Sequence, residues 1–179
     1  MVGWLSPTPL GQWCLTTSAR SQILLNHIFG VDLDPQAIAI TRLSLLLIWA
    51  EGLDQPATSP PDLTANLWCG NALMESDPIQ LRSSRETIAF PHIPEGFDLV
   101  IGNPPYIDAE QMTTTMPEWR SYCQQRYQTA SGNWDLFCVF IEKALQWCKP
   151  GGLTSLIVPN KLASAPYATA ARSLLTQTN

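Results

Sequence analysis

At 179 residues the chain is long enough for one domain with a real hydrophobic core. Its 45% apolar and 14% charged residues exclude a disordered chain, and a formal net charge of −5 counts against a dedicated DNA-recognition module, which is ordinarily basic. Five cysteines, an odd number without a Cys-x-x-Cys pair, provide neither a zinc framework nor a disulfide one, so no metal is expected and reduced thiols in a cytoplasmic protein are.

In chain order, residues 1–17 hold Trp4, Pro7, Pro9 and Trp13 without a clear period. Residues 18–27 predict a short helix with Ile23 and Leu24 inward and Arg20 outward. Residues 28–32 predict a buried strand ending in Asp32. Asp34 then reads as a helix cap and Pro35 as the first helical residue. That helix should run to about Glu51, stop at Gly52, and lay Ile38, Leu45, Ile48 and Trp49 on a sheet. The longest apolar run, residues 43–50, is broken by Ser44 and is far too short to span a bilayer. The first residues lack the form of a secretion signal, so no membrane partner is expected.

Residues 55–62 form a Pro-rich loop, and 66–69 a short strand closed by Gly70. The stretch 71–96 is polar and irregular, with one helical turn. Residues 97–102, FDLVIG, are the clearest strand, an apolar run of the kind buried on both faces. Residues 108–131 read as a long loop or lid with one helix. Residues 133–148 read as a helix ended by Lys149-Pro150-Gly151-Gly152, 153–158 as a strand closed by Pro159, and 165–176 as a last helix. Strands alternating with helices give an α/β fold with a parallel, doubly wound sheet. Ligands in such sheets bind beyond the carboxyl ends of the strands, where Asp32, Asn71 and Asn103 to Tyr106 fall.

Asn103-Pro104-Pro105-Tyr106 is suited to one chemical problem. The lone pair of an exocyclic amino group such as adenine N6 is delocalised into its ring, which makes the nitrogen a poor nucleophile. Two acceptors on its two hydrogens pull it toward a tetrahedral shape and localise the lone pair. An asparagine oxygen and the next backbone carbonyl can be those acceptors, and prolines hold the backbone so that both point into the site. Catalysis is then orientation and fixed dipoles, since a carboxamide has no useful pKa. Tyr106 adds a flat face, worth roughly 1–3 kcal/mol of stacking per base, for a target taken out of the duplex. Read alone, the tetrapeptide also fits a Pro-Pro turn that closes a strand.

With its preceding strand, FDLVIGNPPYI resembles motif IV of the amino-directed DNA adenine-N6 methyltransferases, closest to the branch that includes bifunctional restriction–modification enzymes. Three further stretches resemble that branch in the same order. They are IFGVDLDPQAIAITRLSL, LWCGNAL, and GNWDLFCVFIEKAL followed by KPGGLTSLIVPNKL. The resemblance covers roughly residues 20–175. It implies S-adenosylmethionine as cofactor, with Asp32 on the ribose hydroxyls and Asn71, where many relatives have Asp, next to the cofactor's adenine; read without the resemblance, Asp32 also fits a capping or turn acid and Asn71 an ordinary turn. It makes Asn103, Pro104, Pro105 and Tyr106 the catalytic set, and Phe137 a wall of the target-base pocket or an inward core aromatic. Lys161 reads as a solvated lysine. Trp119, Tyr122 and Tyr127 read as loop anchors or DNA contacts.

The resemblance fades at about residue 19, leaving 1–19 unassigned and 20–179 as a partial catalytic domain. Upstream of Gly30 nothing matches the family's Gly-rich turn, which cradles the methionine part of the cofactor by close backbone approach. The expectation is a partial Rossmann-like sheet lacking its first strand–turn, with strand edges and apolar faces left without a partner, and a chain inactive alone. DNA would be engaged through a recognition domain outside this sequence, and a complementing methyltransferase segment is a further expected partner. Two other readings remain at this point. One is a protein glutamine-N5 methyltransferase, whose amide nitrogen poses the same problem, although GNWDLF favours the DNA branch. The other is a non-catalytic remnant or one half of a split enzyme.

Overall fold

The computed structural model describes residues 3–8, 11–51, 59–74 and 96–177. The chain divides into two units, Met1–Phe90 and Pro91–Asn179.

In the first unit, the segment without a clear period forms an antiparallel pair, β1 (Leu5–Pro7) with β2 (Trp13–Leu15). Thr16 then caps α1 (Thr17–His27), its hydroxyl accepting from Ala19 N at 3.2 Å. The far end of α1 has no helical partners for its last carbonyls. Asn66, 3% exposed, supplies them: its Nδ2 donates to Leu24 O, Leu25 O and Ile28 O at 3.2, 2.9 and 2.9 Å.

The next strand, β3 (Gly30–Asp32), starts later than expected, and its partner β4 (Leu67–Cys69) runs parallel to it. Between them lies α2 (Pro35–Ala50), started as the sequence predicts by Pro35 and by Asp34 Oδ1 accepting from Gln36 N at 2.8 Å. Leu24, Trp49, Leu63 and Leu67 make the core of this unit, with Ile38, Leu45 and Leu46 packed against it. Ile48 does not join them. It is 60% exposed, because the helical stripe that faces the core runs through Leu45, Leu46 and Trp49 instead. Trp49 Nε1 donates to Ser21 Oγ at 2.8 Å, so the buried indole is satisfied. The guanidinium of Arg20 turns to the end of α2 and donates to the carbonyls of Ile48, Trp49 and Glu51. Half of the expected 55–62 loop and most of the irregular 71–96 stretch lie outside the described residues.

In the second unit, β5 (Phe97–Gly102) runs parallel to β6 (Cys148–Leu156), with Leu99 opposite Leu153 and Gly102 opposite Leu156. The second strand was expected at 153–158. It begins at Cys148 because the Lys149–Gly152 stretch enters as a bulge, marked by a register shift between Phe97 and Leu99. Only glycine fits at 152, where a Cβ would lie 2.6 Å from Cys148 Sγ and 2.9 Å from Phe97 O. Lys149 and Asp98 form an ion pair beside the bulge.

The expectation that 97–102 is buried on both faces does not hold. Leu99 and Ile101 are 53% and 71% exposed, as are their same-face neighbours Leu153 and Ile157 at 69% and 65%. The physical reason is alternation. Leu156 and Val158 point the other way, into a core of Phe137, Cys138, Ile141, Ala168 and Ala171, and among the described residues of this unit only that face is covered.

The covering helix is α5 (Leu136–Trp147), which puts Phe137, Cys138 and Ile141 into that core and buries Val139 and Glu142 as well. Residues 108–131 form two helices where one was expected. Asp108 caps α3 (Ala109–Thr115) by accepting from Gln111 N at 2.8 Å, and Pro117 opens α4 (Pro117–Arg126). Thr113, Thr114 and Thr115 donate to carbonyls four residues back, which lets a threonine run sit in a helix. Beyond α4, the buried carboxylate of Glu142 accepts from Gln128 N, Thr129 N and Thr129 Oγ1, so its charge is well solvated by donors. After β6 come α6 (Lys161–Ser164), a 3-10 turn (Pro166–Ala168) and α7 (Thr169–Gln177). Among the described residues no helix is long and apolar enough to cross a membrane.

Candidate functional site

Each unit ends a parallel strand pair in polar residues. In the first, Asp32 stands opposite Cys69, and Gly70 N donates to Asp32 O at 2.8 Å, so the ends of β3 and β4 lie side by side. That brings Asp32 and the residues leading to Asn71 to one edge, as the sequence predicts. Asp32 is exposed, and its Oδ1 accepts from Asp34 N at 2.8 Å. Asp34, not Asp32, caps α2. The second carboxylate oxygen of Asp32 has no partner among the described residues. Asn71 is half-buried, and its Oδ1 accepts from Leu73 N at 3.0 Å, an Asx turn that leaves one lone pair of that oxygen unused. The rings of Phe29 and Trp68, just before these ends, lie parallel at 6.3 Å. The exposed carboxylate at this edge can accept hydrogen bonds from hydroxyl or N–H donors.

In the second unit, Asn103–Tyr106 leaves the end of β5 as an extended loop. Pro104 is buried and anchors it, while Asn103 and Pro105 are exposed and Tyr106 is 55% exposed. Two backbone bonds and one side-chain contact hold the loop to its neighbours. Ile157 N donates to Gly102 O at 3.0 Å before it, Leu136 N donates to Ile107 O at 2.9 Å after it, and the Tyr106 hydroxyl lies 3.1 Å from Ile157 O. The same hydroxyl lies 3.0 Å from Asn103 Oδ1. The result is a carboxamide, a proline-locked carbonyl and an aromatic face on one short, accessible loop.

Sequence reasoning missed Ile107, Leu136 and Ile157, which act through backbone atoms and carry no side-chain signature. The one available signal was register: once Gly102 is placed opposite Leu156, Ile157 must lie beside Asn103. Phe137 is fully buried in the core, edge-on to Tyr167 at 6.4 Å. Lys161 is exposed at the start of α6. Tyr127 is 4% exposed and anchors the end of α4, whereas Trp119 and Tyr122 stack on one another at 5.1 Å on its surface, with Arg126 over Tyr122 at 4.9 Å.

Two of the cysteines are buried in the second unit. Burial pushes the Cys123 thiol up to about 12 and the Cys138 thiol up to about 11, so both are neutral and poor nucleophiles. Tyr167 is also raised, first by burial and then by donating to Asp135 Oδ2 at 2.5 Å; this bond ties the turn before α7 to the start of α5.

Comparison with known proteins bears on both strand ends at once. The chain is 27% identical over 169 residues to the type II restriction enzyme and methyltransferase RM.Eco57I of Escherichia coli, a match covering 91% of this chain and 17% of that protein. It is 34% identical over 82 residues to the type II methyltransferase M.PaeR7I of Pseudomonas aeruginosa, covering 45% of this chain and 14% of that one. The chain thus spans less than a fifth of either relative's length. The model of the Eco57I restriction-modification methylase family matches residues 26–179, a stretch that contains Asp32, Asn71 and the whole Asn103–Tyr106 loop. With β3 and every later element inside that stretch, the chain belongs to the Eco57I restriction-modification methylase family.

Proposed function

We propose that this chain carries the target-amino site of a DNA adenine-N6 methyltransferase of a restriction–modification system. The observation that carries the reading is the accessible loop at the end of β5, with the Asn103 carboxamide and the half-exposed Tyr106 ring side by side. Asn103 Oδ1 and the Pro104 carbonyl accept the two hydrogens of adenine N6 and localise its lone pair. Tyr106 stacks on the base once it leaves the duplex. S-adenosylmethionine supplies an electrophilic methyl on a sulfonium. Asp32 accepts from its ribose hydroxyls and Asn71 lies by its adenine, at the edge whose exposed carboxylate suits such a ligand. Each unit's parallel strand pair has the strand sense of a doubly wound, Rossmann-like fold. The DNA is gripped by a recognition domain elsewhere in the protein, and a segment with the Gly-rich turn complements the chain.

The test is transfer of labelled methyl from S-adenosylmethionine to duplex DNA and to a protein substrate, by the chain with and without a methyltransferase segment bearing that turn. N6-methyladenine is expected, and Asn103→Ala should reduce its formation about 10²–10³-fold, the scale seen when one preorganised polar partner is removed from a transition state. Label on cytosine, on a glutamine amide of the protein, or nowhere under either condition overturns the proposal.

A further inference from the structure

A hydroxyl has one hydrogen, and the Tyr106 hydroxyl stands between two acceptors, Asn103 Oδ1 at 3.0 Å and Ile157 O at 3.1 Å. It can donate to one at a time. The two acceptors differ in mobility. Ile157 O belongs to backbone held beside β5, since Ile157 N donates to Gly102 O. Asn103 Oδ1 belongs to an exposed side chain, and the last torsion of an asparagine is broad and nearly two-fold. Left alone, the carboxamide would present its NH₂ as readily as its oxygen, and an NH₂ turned to an amino group sets donor against donor.

We infer that the Tyr106 hydroxyl is a positioning group for Asn103, separate from the stacking role of its ring. In the resting site it donates to Asn103 Oδ1 and stands in for an N–H of the target amino group. When the target takes that oxygen, the hydroxyl turns its hydrogen to Ile157 O. No hydrogen bond is lost in the exchange, because the second acceptor is already in range. The carboxamide is therefore oriented before the base arrives, and the ordering is not charged against binding or the transition state. This inference rests on the methyltransferase reading for its purpose, but the contact itself does not.

The test uses Tyr106→Phe, which keeps the ring and removes only the hydroxyl. In the full chain labelled with ¹⁵N-asparagine, the side-chain NH₂ resonances of Asn103, identified by their loss in Asn103→Ala, should be dispersed. In Tyr106→Phe they should move to the positions of a solvated asparagine while the backbone spectrum elsewhere stays. Where methyl transfer is measured, Tyr106→Phe should lower kcat about ten-fold, the worth of one hydrogen bond, and leave KM for DNA within about two-fold. Tyr106→Ala should raise KM as well. Asn103 resonances that do not move, or a kcat equal to that of the parent, overturn the inference. Resonances that move in a chain that methylates no adenine leave the contact standing and sink the functional reading instead.

Discussion

The two strand-end sites are built on the same plan and held in opposite ways. Asp32 is fixed by Asp34 N, two residues on, and Asn71 by Leu73 N, also two residues on. Asn103 and Tyr106 are fixed by Ile157 and, through Ile107, by Leu136. In the first site local Asx turns orient the two side chains, on strand ends that the β3–β4 pairing sets side by side. The second exists only when α5 and β6 are in place. Damage to the scaffold should therefore reach the target-amino site and spare the carboxylate edge.

The largest effect tests this directly. Phe137 is fully buried in the core under β6, next to the α5 residue that holds Ile107. Phe137→Ala should cost about 3–5 kcal/mol of stability, read as the shift in a urea unfolding curve. It should also loosen the Asn103–Tyr106 loop, visible as faster amide exchange at Ile107 and Tyr106, while Asp32 and Asp34 keep their exchange rates. Equal loosening at both sites would break the comparison.

The same contrast explains what could be read from the sequence. Asp34 with Pro35, the end of β3 at Asp32 and the span of β5 are local signals, and the structure agrees with them. The second helix within 108–131 was missed because a threonine run is a poor helix former until its hydroxyls bond back to the preceding turn. The start of β6 was missed because Lys-Pro-Gly-Gly reads as a helix stop, and its role as a bulge depends on a partner strand far away in sequence. Burial of 97–102 was overstated because apolar content does not tell how many faces are covered. The loop's own residues were legible; the backbone atoms that hold it were not.

A middle-sized effect sharpens the comparison within the first unit, whose scaffold also has a long-range tie. Asn66→Ala removes the buried donor to Leu24, Leu25 and Ile28 and leaves carbonyls at the end of α1 without it. The expected loss is about 1–3 kcal/mol by urea unfolding. Because the Asp32 carboxylate is held by Asp34 N, the Asp34 amide of folded Asn66→Ala should exchange at the rate of the parent chain. Faster exchange of Asp34 in fully folded protein would show that the carboxylate edge depends on distant contacts too.

The smallest effect is a pH dependence confined to the second unit. The Tyr167 hydroxyl donates to Asp135 Oδ2, and burial together with that bond raises its pKa above the ordinary value of 10.0. A group raised on folding is one whose protonated form the native state prefers. Its contribution is fully present below the unfolded value and is lost as pH climbs through the higher native one. Tyr167→Phe should therefore cost about 1 kcal/mol near neutrality, a hydrogen bond trimmed by partial exposure. The stability gap between parent and variant should stay constant up to about pH 10 and narrow above it. Asp135 stands at the start of α5, one residue before Leu136, so the same alkaline range should loosen Ile107 and leave Asp34 unaffected. A gap that widens above pH 10, or an Asp34 amide that exchanges in step with Ile107, would mean that the two strand ends share one support after all.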